Sequence, residues 1–311
     1  MYFVGVDIGG TGIQAGLVNE EGNILHRKEC VTDVENGFEK VMDDINNLVR
    51  SLLEENNIKP NQIKSIGFGV PSFINSKGLV TCVNLGWNEV NFIDALKNRF
   101  KEFEVKAEND ATVAALGEAK FGSMKGANVA VMYTLGTGVG GGIIINQKAF
   151  TGVHGIASEI GHSIIGENYF DCNCGNNGCL ETFCSATAII KYAQKLINEG
   201  NNSKILNFAD GDINNINAKM VFDAYRENDE VAIKVISRFK KYLAKAIASM
   251  INTLDPEVIS IGGGVSRASD IILSEIEDLI KEHILYKNEK FADIVCATLG
   301  ADAGIIGAAF L

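Results

Sequence analysis

No stretch of this 311-residue chain is apolar for long enough to cross a bilayer, and its richest runs are interrupted by glycine. No block of lysines and arginines occurs either. With 39 acidic against 28 basic side chains the formal net charge is −11, which argues against nucleic acid or an anionic membrane as a partner. The opening residues, MetTyrPheValGlyValAsp, offer neither a basic segment nor an apolar core, so no secretion signal is expected. Cysteine is sparse and odd in number, seven in all with three crowded into one short loop; a disulfide framework is therefore not expected, and the cytoplasm is. A Walker A lysine motif is missing too, so any polyphosphate has to be held by backbone donors and a metal ion.

What is present is ordinary for a globular protein: 46% apolar and 22% charged residues, in a chain long enough to bury a large core and to divide in two. Phe3–Ile8, Ile13–Val18 and Ile24–Val31 read as strands joined at glycine turns. Phe38–Leu53 carries apolar residues at helical spacing, Ile63–Val70 is a buried strand ended by Pro71, Phe92–Phe100 a helix and Phe103–Ala107 a strand. Asn109 and Asp110 stand where that strand meets an alanine-rich helix. Asp110 is either a plain helix cap or a carboxylate at the carboxyl end of a strand, where open α/β sheets place ligands. Further on, Thr187–Glu199 and Ala218–Leu254 are helical, Gly200–Asn217 is a polar connection, Val258–Ile261 is a strand and Ala303–Leu311 a closing helix.

Three glycine turns follow strands. The first, Gly9-Gly10-Thr11 after Asp7, can be a simple hairpin turn or a cradle of N–H groups for phosphate, with Asp7 toward a magnesium ion. The second, Gly136-Thr137-Gly138, formally matches a dinucleotide fingerprint through Gly141, but a strand of isoleucines follows instead of a helix. It repeats the strand–turn–strand pattern of the first, as two related halves would. The third, Gly262-Gly263-Gly264, can be close helix-on-strand packing or backbone approach to a nucleotide. Between Glu159 and Glu181 lies a loop with His162, Cys172, Cys174 and Cys179, a sufficient set for a closed structural zinc site, although Cys-x-Cys is tighter than the usual spacing. Its flanking acids point to the binding of a polyol, whose hydroxyls need rigidly held carboxylates.

Taken together, AspIleGlyGlyThr at 7–11, AsnAspAla at 109–111, LeuGlyThrGlyValGlyGlyGly at 135–142, GluIleGlyHis at 159–162, Cys-x-Cys-Gly-x-x-Gly-Cys-Leu-Glu at 172–181 and IleGlyGlyGlyValSer at 261–266 resemble the ROK family of sugar kinases, most closely its bacterial glucokinases. The resemblance runs the length of the chain. It implies an α/β, two-domain actin-like (ribonuclease H-like, hexokinase-type) fold with an interdomain cleft. Residues 1–118 with the closing helix 300–311 would form the smaller domain and 119–299 the larger, knuckle-bearing one. The implied reaction is ATP-dependent phosphorylation of a hexose, glucose to glucose 6-phosphate, with an N-acetylhexosamine kinase or fructokinase as alternatives and a sugar-responsive repressor as a distant one.

By that resemblance Asp110 is the general base, and Asn109, Asp110, Glu159, His162 and Glu181 bind the sugar. Asp7, Gly9, Gly10, Thr11, Gly136, Thr137, Gly138, Gly263 and Gly264 hold ATP and its Mg2+. His162, Cys172, Cys174 and Cys179 hold a structural Zn2+, His162 giving one ring nitrogen to zinc and the other to the sugar. A homodimer, or a dimer of dimers, is implied as well. Three positions depart from the family pattern, each with another residue where glycine is common: Ser72, Gln147 and Ser158. Ser72 and Ser158 bear on the choice of sugar more than on the reaction class.

Overall fold

Branched and aromatic residues fill β1 (Tyr2–Ile8) and its hairpin partner β2 (Gly12–Val18), which are buried along most of their length. The computed structural model, which describes residues 1–311, continues with β3 (Ile24–Val31) and α1 (Gly37–Glu55), whose Val41, Ile45, Leu48 and Leu52 recur at helical spacing and are buried. Next come β4 (Ile63–Val70), β5 (Leu79–Cys82), β6 (Trp87–Asn91), α2 (Phe92–Arg99), β7 (Val105–Asn109) and α3 (Asp110–Phe121). A second series runs β8 (Val129–Leu135), β9 (Val139–Ile145), β10 (Lys148–Ala149), α4 (Glu181–Cys184), α5 (Ala186–Asn198), α6 (Ile205–Phe208), α7 (Ala218–Arg226), α8 (Glu230–Leu254) and β11 (Val258–Gly262). The chain finishes through α9 (Ser269–Ile272), α10 (Ile276–Lys281), β12 (Asp293–Cys296) and α11 (Ala303–Ala309).

Two five-stranded sheets have the orders β3-β2-β1-β4-β7 and β10-β9-β8-β11-β12, the same plan twice. In the first, β1, β2 and β3 are antiparallel, while β1 pairs parallel with β4 and β4 with β7. The β5–β6 hairpin stands apart as a third, two-stranded sheet. No helix is long and apolar enough to cross a membrane.

The chain forms two compact units, Met1–Ala130 with Gly142–Ser158 and Thr298–Leu311, and Val131–Gly141 with Glu159–Ala297. In the first, α11 packs on α3, β1 and β4. Glycines make that approach feasible: a Cβ on Gly5 would lie 1.8 Å from the Ile305 carbonyl oxygen, and one on Gly67 would lie 1.7 Å from that of Ala308. In the second unit α5, α7 and α8 pack together around a core that includes Phe239, Leu243 and Ile247 of α8.

Two local expectations need correction. The helix expected over Ala218–Leu254 is two, because Asn228 takes a left-handed φ of 58° and Asp229 caps α8 by accepting from the Ala232 N–H at 2.9 Å. The same carboxylate accepts from Ser203 and Lys204, a distant tie that fixes the break. The connection expected over Gly200–Asn217 contains the single turn of α6.

Candidate functional site

In the first unit the carboxyl ends of β1, β4 and β7 lie side by side, with Asp7 in register with Gly69 and Val70 with Asn109. Gly69 is the pivot: a Cβ there would sit 3.8 Å from Asp7 Oδ1, 3.6 Å from the Asp110 Cα and 2.8 Å from Val113. Two acids are thus brought to either side of one glycine. Asp7 is partly buried, and that burial raises its pKa above the usual carboxylate value. Gly304 of α11 leaves the space its carboxylate fills, since a Cβ there would lie 2.6 Å from Oδ2.

The helix cap beside them is Asn109 and not Asp110. Asn109 Oδ1 accepts from the Thr112 N–H at 3.1 Å, and Asp110 is the first residue of α3, its Oδ1 accepting from the Ala111 N–H at 2.7 Å. Capping is therefore not what demands an aspartate at 110. Glu108, absent from the sequence-level site, accepts the Asn109 N–H at 2.9 Å and has its pKa pushed up by burial.

The turn Gly9–Thr11 is held by its carbonyls. Thr32 donates its hydroxyl to the Gly9 oxygen at 2.7 Å and its N–H to the Thr11 oxygen at 3.3 Å. In a trans peptide N–H and C=O point opposite ways, so the Gly10 N–H is directed away from Thr32.

The second unit repeats the device. The Ala186 N–H donates to the Gly136 oxygen at 2.8 Å and the Thr187 hydroxyl to the Thr137 oxygen at 2.7 Å. The N–H groups of Thr137 and Gly138 are therefore aimed away from the start of α5. Gly263 (φ 82°) is packed under this hairpin, where a Cβ would fall 2.4 Å from the Leu135 carbonyl oxygen. Gly264 opens the turn that follows. Gly136, Thr137 and Gly264 line a cavity of about 520 Å³ together with Phe222, Val265 and Arg267, a size that suits a nucleotide. Phe222 comes from α7 and Arg267 from the turn after β11; neither lies in a motif, so sequence gave no sign of them.

In the cysteine loop the ligating atoms of His162, Cys172, Cys174 and Cys179 all lie within 4.8 Å of one another. Cys172 Sγ is 3.6 Å from His162 Nδ1, and Cys174 Sγ is 3.5 Å from Cys179 Sγ. Tetrahedral zinc would set such edges at about 3.5–3.8 Å; these two pairs match it, and the whole set lies close enough to close on one ion. The tight Cys-x-Cys spacing works because Gly175 takes φ 92° and donates its N–H to the Cys172 oxygen at 3.0 Å. Burial pushes the Cys179 thiol up to about 12, while Cys174, accepting from the Asn176 N–H, is lowered to about 7. The histidine nitrogen facing Cys172 Sγ is Nδ1, so Nε2 is the one left over for another partner.

Glu181 is a brace as well as a terminus of this loop. Its Oε2 accepts from the Val139 N–H at 3.0 Å, and its Oε1 lies 3.6 Å from Cys172 Sγ. Gly138 has to be glycine for this, because a Cβ would come within 2.3 Å of Oε2. Glu159 is exposed, one turn from His162, whose N–H donates to its carbonyl at 3.0 Å. Of the departures from the family pattern, Gln147 (φ 63°) and Ser158 (φ 72°) take a left-handed backbone, which glycine adopts at no steric cost. Ser158 gives its hydroxyl to the Phe150 oxygen and Ser72 gives its own to the Thr81 oxygen, so both are spent inside their loops.

Comparison with known proteins agrees along the whole chain. A family model described as the ROK family matches residues 3–311. The glucokinase of Halalkalibacterium halodurans is 38% identical over 100% of this chain and 94% of its own length, and that of Thermotoga maritima 36% over 99% and 96%. A crystal structure of a ROK family glucokinase from Streptomyces griseus in complex with glucose and AMPPNP superposes with a TM-score of 0.82 at 32% identity, covering 100% of this chain and 98% of that one. The fold class is the α/β, two-domain actin-like one of these kinases.

Proposed function

The chain belongs to the ROK family, and on that footing we propose that it is a sugar kinase that transfers the γ-phosphoryl group of ATP to a hexose, glucose to glucose 6-phosphate being the reaction its relatives support. The observation that carries the reading is the pair Asp7 and Asp110 flanking Gly69 at the carboxyl edge of three parallel strands. Asp110 takes the proton of the sugar hydroxyl as its oxygen attacks the γ-phosphorus; the bond to the bridging oxygen breaks and ADP leaves. Phosphoryl transfer asks the protein mainly for positioning and charge neutralisation. The N–H groups of the 9–11 and 136–138 turns supply donors to phosphate oxygens, and Gly263, Gly264 and the cavity beside Phe222 receive the nucleoside. Asp7 is the residue that would hold the magnesium ion accompanying the nucleotide, and that ion would supply positive charge to the phosphate oxygens.

Asn109, Glu159, His162 through Nε2, and Glu181 orient the sugar hydroxyls. A carboxylate has about four lone-pair sites, so Glu181 can brace Val139 and still accept from a hydroxyl. His162, Cys172, Cys174 and Cys179 would hold one Zn2+, whose part is to stiffen the loop. Ligating thiolates suit a reducing compartment, which supports the cytoplasm, and the family resemblance supports a homodimer that sedimentation would check.

Asp110→Asn tests the base. Turnover should drop by about 10²–10⁴-fold while sugar affinity and thermal stability hold. Near wild-type turnover in that variant would remove Asp110 from its role. A coupled assay over glucose, mannose, fructose, N-acetylglucosamine and N-acetylmannosamine, with ATP and with polyphosphate, tests the substrate; preference for an N-acetylated sugar would replace glucose in the proposal.

A further inference from the structure

A second cavity, of about 550 Å³, opens on α5 and α8 beside the stem of the cysteine loop, among Asn168, Tyr169, Tyr192, Ser237, Arg238 and Lys241. Its centre is the Arg238 guanidinium, 4.4 Å from the Tyr192 ring centroid and 4.6 Å from that of Phe183, with the Tyr242 and Tyr169 rings at 5.4 and 5.9 Å. Aromatic faces hold a cation in place and exclude water on that side, but they accept none of its five N–H groups in line. Arg238 hydrogen-bonds to the neutral amide of Asn168 through Nη2 and to nothing else in the fold. The remaining donors of a fixed, half-buried fork are thus left toward the cavity. Lys241 lies three residues along the same helix, on the same face, and Ser237 adds a hydroxyl. Glu167 is the one carboxylate among the lining residues, against the two cations Arg238 and Lys241, so even in a chain of net charge −11 cationic donors are in local excess here.

We propose that this cavity binds a small phosphate-bearing anion, inorganic phosphate or the phosphomonoester of a sugar, and that its occupancy is transmitted to the cysteine loop. A guanidinium fork, an ammonium and a hydroxyl lining one cavity suit a tetrahedral oxyanion. The near-parallel rings of Tyr169 and Tyr192, 12° apart, offer apolar faces to whatever carries the phosphate. Transmission runs through Asn168. Besides accepting from Arg238, it donates through Nδ2 to the Thr182 carbonyl at 2.7 Å, and its N–H donates to Asn177 Oδ1 at 2.9 Å. Thr182 follows Glu181, and Asn177 lies within the Cys172–Cys179 loop. An anion that engages the guanidinium competes with Asn168 for it and changes how this stem is held. Sugar affinity then depends on the anion, and by linkage the anion's affinity depends on the sugar. This second half rests on the sugar-kinase reading; the binding itself does not.

Calorimetric titration of the zinc-loaded, nucleotide-free protein with inorganic phosphate and, separately, with a hexose 6-phosphate distinguishes the two sources. Saturable binding is expected, weakened about tenfold or more in Arg238→Gln and in Lys241→Glu. Turnover at saturating substrates should stay within about twofold in both variants, while inorganic phosphate shifts the wild-type sugar KM by about fivefold and that of Arg238→Gln not at all. Lys241 is exposed, so its variant folds even if Arg238→Gln does not. Binding that survives both substitutions places the anion elsewhere and overturns the proposal, as does the absence of saturable binding. Self-association that Lys241→Glu abolishes overturns it too, by showing that a second copy covers the cavity. An unchanged sugar KM despite binding overturns the transmission. Retained binding in a protein that phosphorylates no sugar sinks the kinase reading and leaves the anion site standing.

Discussion

The hairpin β1–β2 and the hairpin β8–β9 are one construction used twice. Each joins two seven-residue strands through three residues, and the second follows the first at a constant offset of 127 (129 − 2 and 139 − 12). In both, a threonine hydroxyl and a backbone N–H hold the turn by its carbonyls. The turns differ in what surrounds them. The first has Asp7 at the position where the second has Thr134, an acid buried at a cost in solvation. The second has no such acid but is braced from outside by Glu181, against a glycine that leaves room for it. The lesson is that peptide orientation is set by a shared hydrogen-bond scheme, while charge and space are assigned to the two copies separately.

The largest effect should come from erasing the charge that distinguishes the first turn. Asp7→Asn is expected to cut kcat by on the order of 10²–10³-fold and, at the same time, to stabilise the ligand-free fold. Burial raises the folded-state pKa of Asp7, so the folded chain binds that proton more tightly than the unfolded one. Stability is therefore lost as pH rises from the unfolded carboxylate value through the raised folded one. The asparagine variant escapes this loss, and its advantage in thermal melts should be present at pH 7 and absent near ~pH 3. Equal melting temperatures at pH 7 would mean that the first turn carries no penalty.

Next in size is the loosening of the cysteine loop from which Glu181 braces the second turn. Cys174→Ser should lower bound zinc well below one equivalent by metal analysis, reduce thermal stability and raise the sugar KM about 10–100-fold. Full zinc content in the variant would show that this cysteine is not a ligand. The smallest effect separates two glycines of one turn. Gly138→Ala drives a methyl into Glu181 and should cost about 1–3 kcal/mol. Gly136→Ala meets open space and should stay within about 0.5 kcal/mol. Equal melting temperatures would mean that Glu181 does not set the size of residue 138.

Much of this was legible from residue order because it is local. Buried strands announce themselves as apolar runs, and α1 as a helical period. The cysteine loop showed through its ligand types. What stayed hidden depends on partners far along the chain. The β5–β6 hairpin turns on Gly86 in a left-handed conformation after a short 3-10 turn, and its two strands are only four and five residues long, too short to show a period. The break at Asn228 is fixed by Ser203 and Lys204, and the cap at Asn109 is distinguished from Asp110 only by backbone geometry. Phe222 entered the cavity beside Gly136, and Arg238 its aromatic cage, through helix packing that no single segment encodes.

The packing of α11 has a consequence for biosynthesis. Gly5, Gly67 and Gly117, all in the first part of the chain, present bare backbone to residues 303–309. A ribosome makes Thr298–Leu311 after everything else in that unit, at about 5–20 residues per second. Until then the groove that receives α11 lies open and Asp7 lacks its neighbour Gly304. The unit carrying Asp110 therefore cannot mature vectorially with translation, and loss of even one turn at the far end of the chain would leave its beginning unfinished.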